Sequence, residues 1–285
     1  MTGPAQWNRD FYKTGYEGFE RLENFPTPQS LQDYRQHLLD KTDAQATFIQ
    51  KLLGGRKLRV IEFGSGNGRL LVALALRGAL DQGVGVEISR SRVQFAESWA
   101  GDLVLANVRN VAADALTFDD FGDEEFDLAV CITGAFGYLH AIRETAPSEI
   151  LKKMRRAVRP GGKVLFELYQ IPALRRQMLL LNDGRLRLWN PLPEEDRFAY
   201  YLDDFEFWPE QNVLRHGKIF IGRDGSIDAG REEVLRYYEQ RTFESMLGAQ
   251  GFVDQDSRSD FQGGPYREGD SATLVVTASA PEVRR

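Results

Sequence analysis

A chain of 285 residues, 42% apolar and 11% aromatic, is long enough for one large domain with an insertion and apolar enough to bury a core, which argues against a disordered chain. Its net charge of −6 disfavours nucleic acid as the main partner, because phosphate contacts need a basic surface. The single cysteine, Cys131, excludes an internal disulfide framework and most thiolate metal sites. The first ten residues lack the basic-then-apolar pattern of a signal peptide, and no stretch approaches the ~20 continuous apolar residues of a membrane span. A soluble, cytoplasmic protein with no membrane partner is therefore expected, and no metal-ligand cluster is visible.

Residues 1–28 concentrate Trp7, Phe11, Tyr12, Tyr16, Phe19 and Phe25 around Gly15 and Gly18, and close on Pro26 and Pro28. This mix suits either an arm that docks its rings on the core or a lid over a site. From Ser30 to Leu53, Leu31, Tyr34, Leu38, Leu39, Ala46 and Ile49 recur at helical spacing, with Ser30 and Asp33 as a capping pair and Gly54-Gly55 as the stop. The run Arg59-Val60-Ile61-Glu62-Phe63 then reads as a strand. Gly64, Gly66 and Gly68 follow at alternate positions, and a Leu/Ala/Val helix runs from Arg69 to about Arg77. Glycines between a strand and a helix allow a sharp turn and close approach of a ligand to the main chain.

A strand at Gly83–Val86 ends in Glu87, and a helix spans Ser91–Trp99 with Ser89 or Ser91 as its cap. A strand near Leu103–Val111, interrupted at Asn107, leads to Ala112-Ala113-Asp114-Ala115. Phe126 to Ile132 is a continuous apolar run fit for a strand buried on both faces. Ser148–Val158 is helical, Arg159-Pro160-Gly161-Gly162 makes a turn, and Lys163–Leu168 is another buried strand. Such alternation predicts a doubly wound parallel sheet with helices on both faces and ligands at the carboxyl ends of the strands. That rule selects residues 62–68, 87–89, 113–115, 131–140 and 167–170 as the rim of a site.

After Leu168 the period changes. Ala173–Leu181 reads as a short helix, Phe198–Trp208 and Val213–Ile221 as an antiparallel hairpin, and Glu232–Tyr238 as a third strand. Thr242–Gln250 is a helix capped by Thr242, and Phe252–Arg258 and Ala272–Ala278 finish as two strands. The expected organisation is an N-terminal lid and helix (1–54), a core (55–170), a substrate-side insertion (171–240), and a closing helix with two strands (241–285).

Three acids stand at three successive strand ends beside the glycine loop: Glu62, Glu87 and Asp114. An acid ending the second strand suits both hydroxyls of a ribose, and one ending the third suits an exocyclic amine. The sequence resembles class I methyltransferases that use S-adenosyl-L-methionine. Val60-Ile61-Glu62-Phe63-Gly64-Ser65-Gly66-Asn67-Gly68 carries their first motif, Gly85-Val86-Glu87-Ile88-Ser89 the second, and Ala112-Ala113-Asp114-Ala115 the third. Phe126-Asp127-Leu128-Ala129-Val130 and Val158-Arg159-Pro160-Gly161-Gly162-Lys163-Val164 match the fourth strand and the turn before the fifth. A nicotinamide dehydrogenase would instead place its third glycine one residue later than Gly68.

The resemblance implies a Rossmann-like α/β fold with a seven-stranded, mostly parallel sheet, an antiparallel β insertion after the fifth strand and an N-terminal helical lid. It also implies cofactor contacts from Tyr16, Glu62, Gly64, Ser65, Gly66, Gly68, Glu87, Ile88, Ala113, Asp114, Ala115, Ile132 and Thr133. Ile132-Thr133-Gly134-Ala135-Phe136-Gly137-Tyr138 lacks the Pro-Pro-aromatic signature of base-nitrogen methylation, and Cys131 lacks the preceding proline of cysteine-nucleophile enzymes. The chain is instead similar to bacterial methyltransferases of small molecules in natural-product pathways, with the acceptor at a nitrogen or carbon of an aromatic or amine-bearing metabolite. A prenyl diphosphate acceptor, or a non-catalytic cofactor binder, is the alternative. Glu167 and His140 are candidate bases and Tyr12 a lid residue near the reaction. Trp7, Phe136, Tyr138, Tyr201, Trp208 and Phe220 are candidate acceptor walls, although an aromatic hairpin also serves as core. Arg175 and Arg176 would suit an anionic acceptor, and a homodimer is one option for assembly.

Overall fold

Period-2 alternation along the central strands divides their side chains between two separate cores. Ile61 and Phe63, Ala129 and Cys131, Val164 and Phe166, and Leu274 and Val276 enter one core, while Val60, Leu128 and Val130, Leu165 and Val275 enter the other. A sheet buried this way must be covered on both faces. The computed structural model, which describes residues 20–25, 27–181, 184–192, 194 and 198–282, shows that cover. Helices α1 (Pro28–Leu52), α2 (Arg69–Leu76) and α3 (Arg90–Asp102) lie on one face. Helices α5 (Ala146–Ala157) and α7 (Gln240–Ala249) lie on the other.

Strands β1 (Leu58–Phe63), β2 (Leu80–Glu87), β3 (Val108–Ala112), β4 (Phe126–Cys131), β5 (Val158–Tyr169), β10 (Val253–Arg258) and β11 (Thr273–Ser279) form the seven-stranded sheet, in the order β10-β11-β5-β4-β1-β2-β3. β1 pairs in parallel with β2 and β4, and β11 runs antiparallel to both its neighbours. This is the Rossmann-like fold expected. The order reverses between β1 and β4, the switch point at which ligands sit in such sheets. Between β5 and α7, the short helix α6 (Pro172–Leu179) precedes a second, antiparallel sheet of β6 (Arg185–Pro191), β7 (Phe198–Trp208), β8 (Val213–Gly222) and β9 (Ile227–Arg236).

Several local expectations shift. Helix α1 starts at Pro28, not Ser30: Thr27 is the cap, its Oγ1 accepting from Ser30 N at 3.1 Å while Ser30 Oγ accepts from Thr27 N at 3.2 Å. Proline at the first helical position has no N–H to lose. Strand β3 begins only at Val108, because Leu105 N turns back to Ala100 O at 2.9 Å. Arg159 to Gly162, expected as a turn, belongs to β5; Gly161 has φ of 71° and the β4–β5 register slips there, as in a bulge. Helix α7 is capped at Glu239, so Thr242 lies inside its first turn. The fourth strand of the second sheet, β6, was not expected from the sequence; it is an edge strand that pairs only with β7. Among the described residues no helix is long and apolar enough to cross a membrane, and no group of three His, Cys, Asp or Glu is placed to hold a metal ion.

Candidate functional site

The first glycine turn is built by the main chain of β2. Gly64 N and Ser65 N both donate to Val86 O, at 2.8 and 3.1 Å, which folds the chain back over the end of the sheet. Gly64 has φ of 76°, and a Cβ there would lie 2.9 Å from Ala135 Cβ. Gly66 has φ of 55° and lies under the Arg92 guanidinium. Gly68 differs from the other two: it opens α2, and a Cβ would meet Ala96 Cβ at 2.8 Å. It brings α2 against α3 and does not line the cavity that the turn borders.

That cavity, of about 320 Å³, sits over the carboxyl ends of β1, β2 and β4. Of the residues expected at the cofactor, Glu62, Gly64, Ser65, Gly66, Glu87, Ile88, Ala113, Asp114, Ala115, Ile132 and Thr133 line it. The Glu87 carboxylate is fixed by two amides, accepting from Gly66 N and Ser89 N, each at 2.9 Å. A carboxylate has about four lone-pair sites, so capacity remains for further donors. Asp114 accepts from Leu116 N at 2.9 Å. Glu62 is 3% exposed and its Oε2 has no hydrogen-bond partner. Burial pushes its carboxyl up to about 8, opposed by nearby Arg69 and reinforced by Glu87.

Arg69 and Arg92 are the cations that line the cavity, and Arg92 is the one already bound to Glu20; Arg69 faces Glu62 across it. Arg69 donates to Thr42 Oγ1 at 3.2 Å and to Thr133 Oγ1 at 3.0 Å. As the first residue of α2 it stands at the helix end that disfavours positive charge, which was the available signal that it serves something beyond the helix. Thr133 is β-branched yet has φ of 58°, a strained conformation. The bonds that hold it come from Arg69 and from Glu167, whose Oε2 accepts from Thr133 N at 2.9 Å. Glu167 also accepts from Gln45 at 3.0 Å, and burial raises its carboxyl above the usual range. Thus Glu167 stands behind the cavity wall, bracing Thr133. Tyr169, two residues on, reaches the cavity.

Glu20 was not anticipated. At 3% exposed, its carboxylate accepts from Tyr34 Oη at 2.7 Å, Asn67 Nδ2 at 2.6 Å and Arg92 Nε at 2.8 Å. It thereby ties the segment before α1 to the glycine turn. Glu20→Ala is expected to cost about 1–3 kcal/mol of folding stability, as charge-assisted bonds are lost, measurable by urea unfolding.

The remaining expected residues divide. Tyr138 lines the cavity and donates to Glu233 Oε2 of β9 at 3.3 Å. Phe136, expected as an acceptor wall, is fully buried among Phe166, Tyr238 and Phe243 with ring centroids 5.2–5.5 Å away. His140 lies outside the cavity on the one-turn helix α4 (Leu139–Ile142), where Arg236 Nη1 bonds its Nδ1 at 3.2 Å. Burial and that guanidinium hold its pKa below the ordinary value. Tyr201 and Phe220 pack on each other in the second sheet, 5.0 Å between centroids, and Trp208 packs against the Ala141, Val213 and Val234 cluster; none of the three reaches the cavity. Arg175 faces Glu239 at 3.9 Å and Arg176 faces Asp270, so neither is aimed at the cavity. Trp7, Tyr12 and Tyr16 lie outside the described residues.

A doubly wound sheet with a glycine turn, an orphaned acid and two further strand-end acids at the switch point defines a nucleotide-type binding protein of the Rossmann-like class. The chain belongs to the family described as a methyltransferase domain, which matches residues 55–201. It is 32% identical over 115 residues to ubiquinone biosynthesis O-methyltransferase of Pseudomonas putida, a match covering 40% of this chain and 44% of that one. The chain thus spans less than half the length of the curated relatives it matches. Its fold resembles that of the CcbJ methyltransferase from Streptomyces caelestis, with TM-score 0.67, 20% identity and 98% of each chain covered. It also resembles SAM-bound CalS10 of Micromonospora echinaspora, an amino pentose methyltransferase involved in calicheamicin biosynthesis. There the TM-score is 0.61 at 18% identity, covering 85% of this chain and 91% of that one.

Proposed function

We propose that this chain is a methyltransferase that uses S-adenosyl-L-methionine to methylate a nitrogen of a small, amine-bearing metabolite. The observation that carries the donor is Glu62, a buried carboxylate oxygen without a partner, sharing one cavity with the Arg69 cation. An unpaired acid beside a base suits the ammonium and carboxylate of an amino acid. The spare lone pairs of Glu87 suit vicinal hydroxyls, and the strip of Ile88, Ala113, Leu139 and Ile142 beside Asp114 suits a flat base with an amine edge. S-adenosyl-L-methionine supplies, when bound, an electrophilic methyl group on a sulfonium centre.

The work of the chain is then to hold and orient. Fixing two reactants in line contributes on the order of 7–11 kcal/mol. Tyr138 and Tyr169 stand at the cavity, where aromatic faces add about 0.5–2 kcal/mol each toward a cation. His140 and Glu167, placed behind the wall, are bound to Arg236 and Thr133 and are poorly sited as bases.

Glu233 of the neighbouring sheet, 6% exposed, accepts from the cavity residue Tyr138, and a buried carboxylate next to the cavity wall supports an amine-bearing acceptor. The amino pentose acceptor named for CalS10 is in keeping with it. Arg175 and Arg176, engaged elsewhere, lend no support to a diphosphate acceptor. A cytoplasmic location belongs to this reading and rests on the sequence. Calorimetric titration of S-adenosylhomocysteine into the purified chain is expected to show saturable binding at one site, and no saturable heat would overturn the reading. Formation of S-adenosylhomocysteine from S-adenosyl-L-methionine with a panel of amines separates an enzyme from a cofactor binder without turnover.

A further inference from the structure

The second sheet carries a polar cluster that the donor cavity does not account for. Alternation places Tyr201, Asp203 and Phe205 of β7 on the same face as His216 and Lys218 of β8 and Glu233 of β9; the register pairs Phe205 with His216, Asp203 with Lys218, and His216 with Glu233. Two carboxylates and a lysine on one face invite a plain cross-strand ion pair between Asp203 and Lys218. The structure does otherwise. Lys218 Nζ goes to Glu233 Oε1 at 2.9 Å, and Asp203 is given to His216, whose Nε2 lies 2.5 Å from Oδ1.

Asp203 is itself held in place, accepting from Asn190 Nδ2 at 3.0 Å and from the Tyr201 hydroxyl. The His216 ring stacks on Phe205, 4.2 Å between centroids and 23° between planes. A carboxylate accepts only, so Nε2 carries a proton, and in the neutral ring the lone pair is then on Nδ1. Nδ1 makes no hydrogen bond among the described residues. An imidazole fixed by stacking, set in one tautomer by a buried acid and left with an open lone pair has the arrangement of an oriented base. Glu233 stands across from His216 in the strand pairing, and its other oxygen accepts from Tyr138, which lines the donor cavity. The cluster is therefore hydrogen-bonded to the wall of that cavity through one tyrosine hydroxyl.

We propose that this face is the acceptor site, and that His216, oriented by Asp203, takes a proton from the ammonium group of the acceptor. The proposal rests on the methyltransferase reading above. The proton moves from the acceptor nitrogen to Nδ1 and frees the nitrogen lone pair. That pair forms the bond to the methyl carbon as the methyl–sulfur bond breaks and leaves its electrons on sulfur. The imidazolium then returns its proton to solvent. Glu233, with Lys218 and Tyr138, holds the acceptor's remaining polar groups. The charged and titratable groups facing His216 are Asp203 and Tyr201 from β7, Lys218 on its own strand, Glu233 from β9, and Tyr138 from the segment after β4.

The test uses the full chain with S-adenosyl-L-methionine and glucosamine, benzylamine and tryptamine as probes. His216→Gln is expected to bind S-adenosylhomocysteine as the native protein does, yet to methylate the accepted amine about 100-fold more slowly at pH 7. The deficit should shrink as pH rises toward the pKa of the free amine, because solvent then removes the proton that His216 no longer takes. Nitrogen-15 spectra of histidine should show the His216 Nδ1 resonance as unprotonated in the native protein and shifted by the accepted amine, with the tautomer lost in Asp203→Asn. A loss of turnover equal at every pH, or a His216 signal that ignores the amine, would overturn the base. Native protein that binds S-adenosylhomocysteine and methylates none of the probes would overturn the amine acceptor and the base with it. Absence of S-adenosylhomocysteine binding would instead sink the methyltransferase reading itself.

Discussion

Glu62→Gln is expected to weaken S-adenosylhomocysteine binding about 100-fold, equivalent to about 3 kcal/mol, as befits truncation of one partner in a buried charge pair. The native carboxyl is fully buried at the end of β1 and burial lifts it to about 8, with Glu87 adding to the rise and Arg69 opposing it. The sign of its effect on stability follows. Between the ordinary value near 4.5 and the folded value near 8, the folded chain keeps a proton that the unfolded chain releases. Stability from this group is therefore greatest below about 4.5, falls as pH rises through that window and levels off above about 8. In Glu62→Gln this contribution is absent, so thermal melts should show the native protein losing ground to the variant from pH 5 to pH 8. A cationic ligand group beside Glu62 restores the carboxylate and expels its proton. Calorimetry of the native protein at pH 7 in buffers of differing ionisation heat should register that release, and the variant should not. Equal binding by both proteins, with equal proton release, would remove Glu62 from the donor site.

Phe136→Ala is expected to destabilise the fold by about 3–5 kcal/mol, the usual cost of emptying a buried aromatic position. The ring makes edge-on contacts with Phe166, Tyr238 and Phe243, and Phe243 in turn contacts both Phe166 and Tyr238, so the walls brace one another and do not collapse into the space. Urea unfolding should report the loss as a lower midpoint with little change in slope. Donor affinity of the molecules that remain folded should stay unchanged, because Phe136 does not line the cavity. A variant of native stability with an altered acceptor KM would restore the acceptor-wall reading that the sequence suggested.

The donor cavity was legible because its parts follow one another along the chain. Each strand runs into its loop within a few residues, so Glu62 and the glycines, Glu87 with Ile88, and Ala113 to Ala115 could be placed at the rim by the polarity of a parallel sheet alone. Gly68 was read as part of the same turn, yet it serves the packing of α2 on α3; alternate glycines look alike until the opposing helix is present. Phe136 and Tyr138 show a similar limit. They are two residues apart in a single turn of 3-10 helix, and one enters the core while the other reaches the cavity. Aromatic content could not separate them, since periodicity has no purchase on four residues.

What the sequence by itself determined is the doubly wound sheet, the position of its switch point and the acids that ring it. These depend on local pattern: apolar alternation, strand-end acids, and glycines where the backbone must turn. What only the tertiary structure decided is how polar side chains distant in sequence are shared out. Glu167 meets Gln45 across 122 positions and braces Thr133, Glu20 crosses 47 to hold Asn67, and Arg69 crosses 64 to reach Thr133. The same holds on the second sheet, where strand register hands Asp203 to His216 and Lys218 to Glu233. A buried polar group takes whichever partner the packing brings within hydrogen-bond distance, and no spacing along the chain encodes that choice.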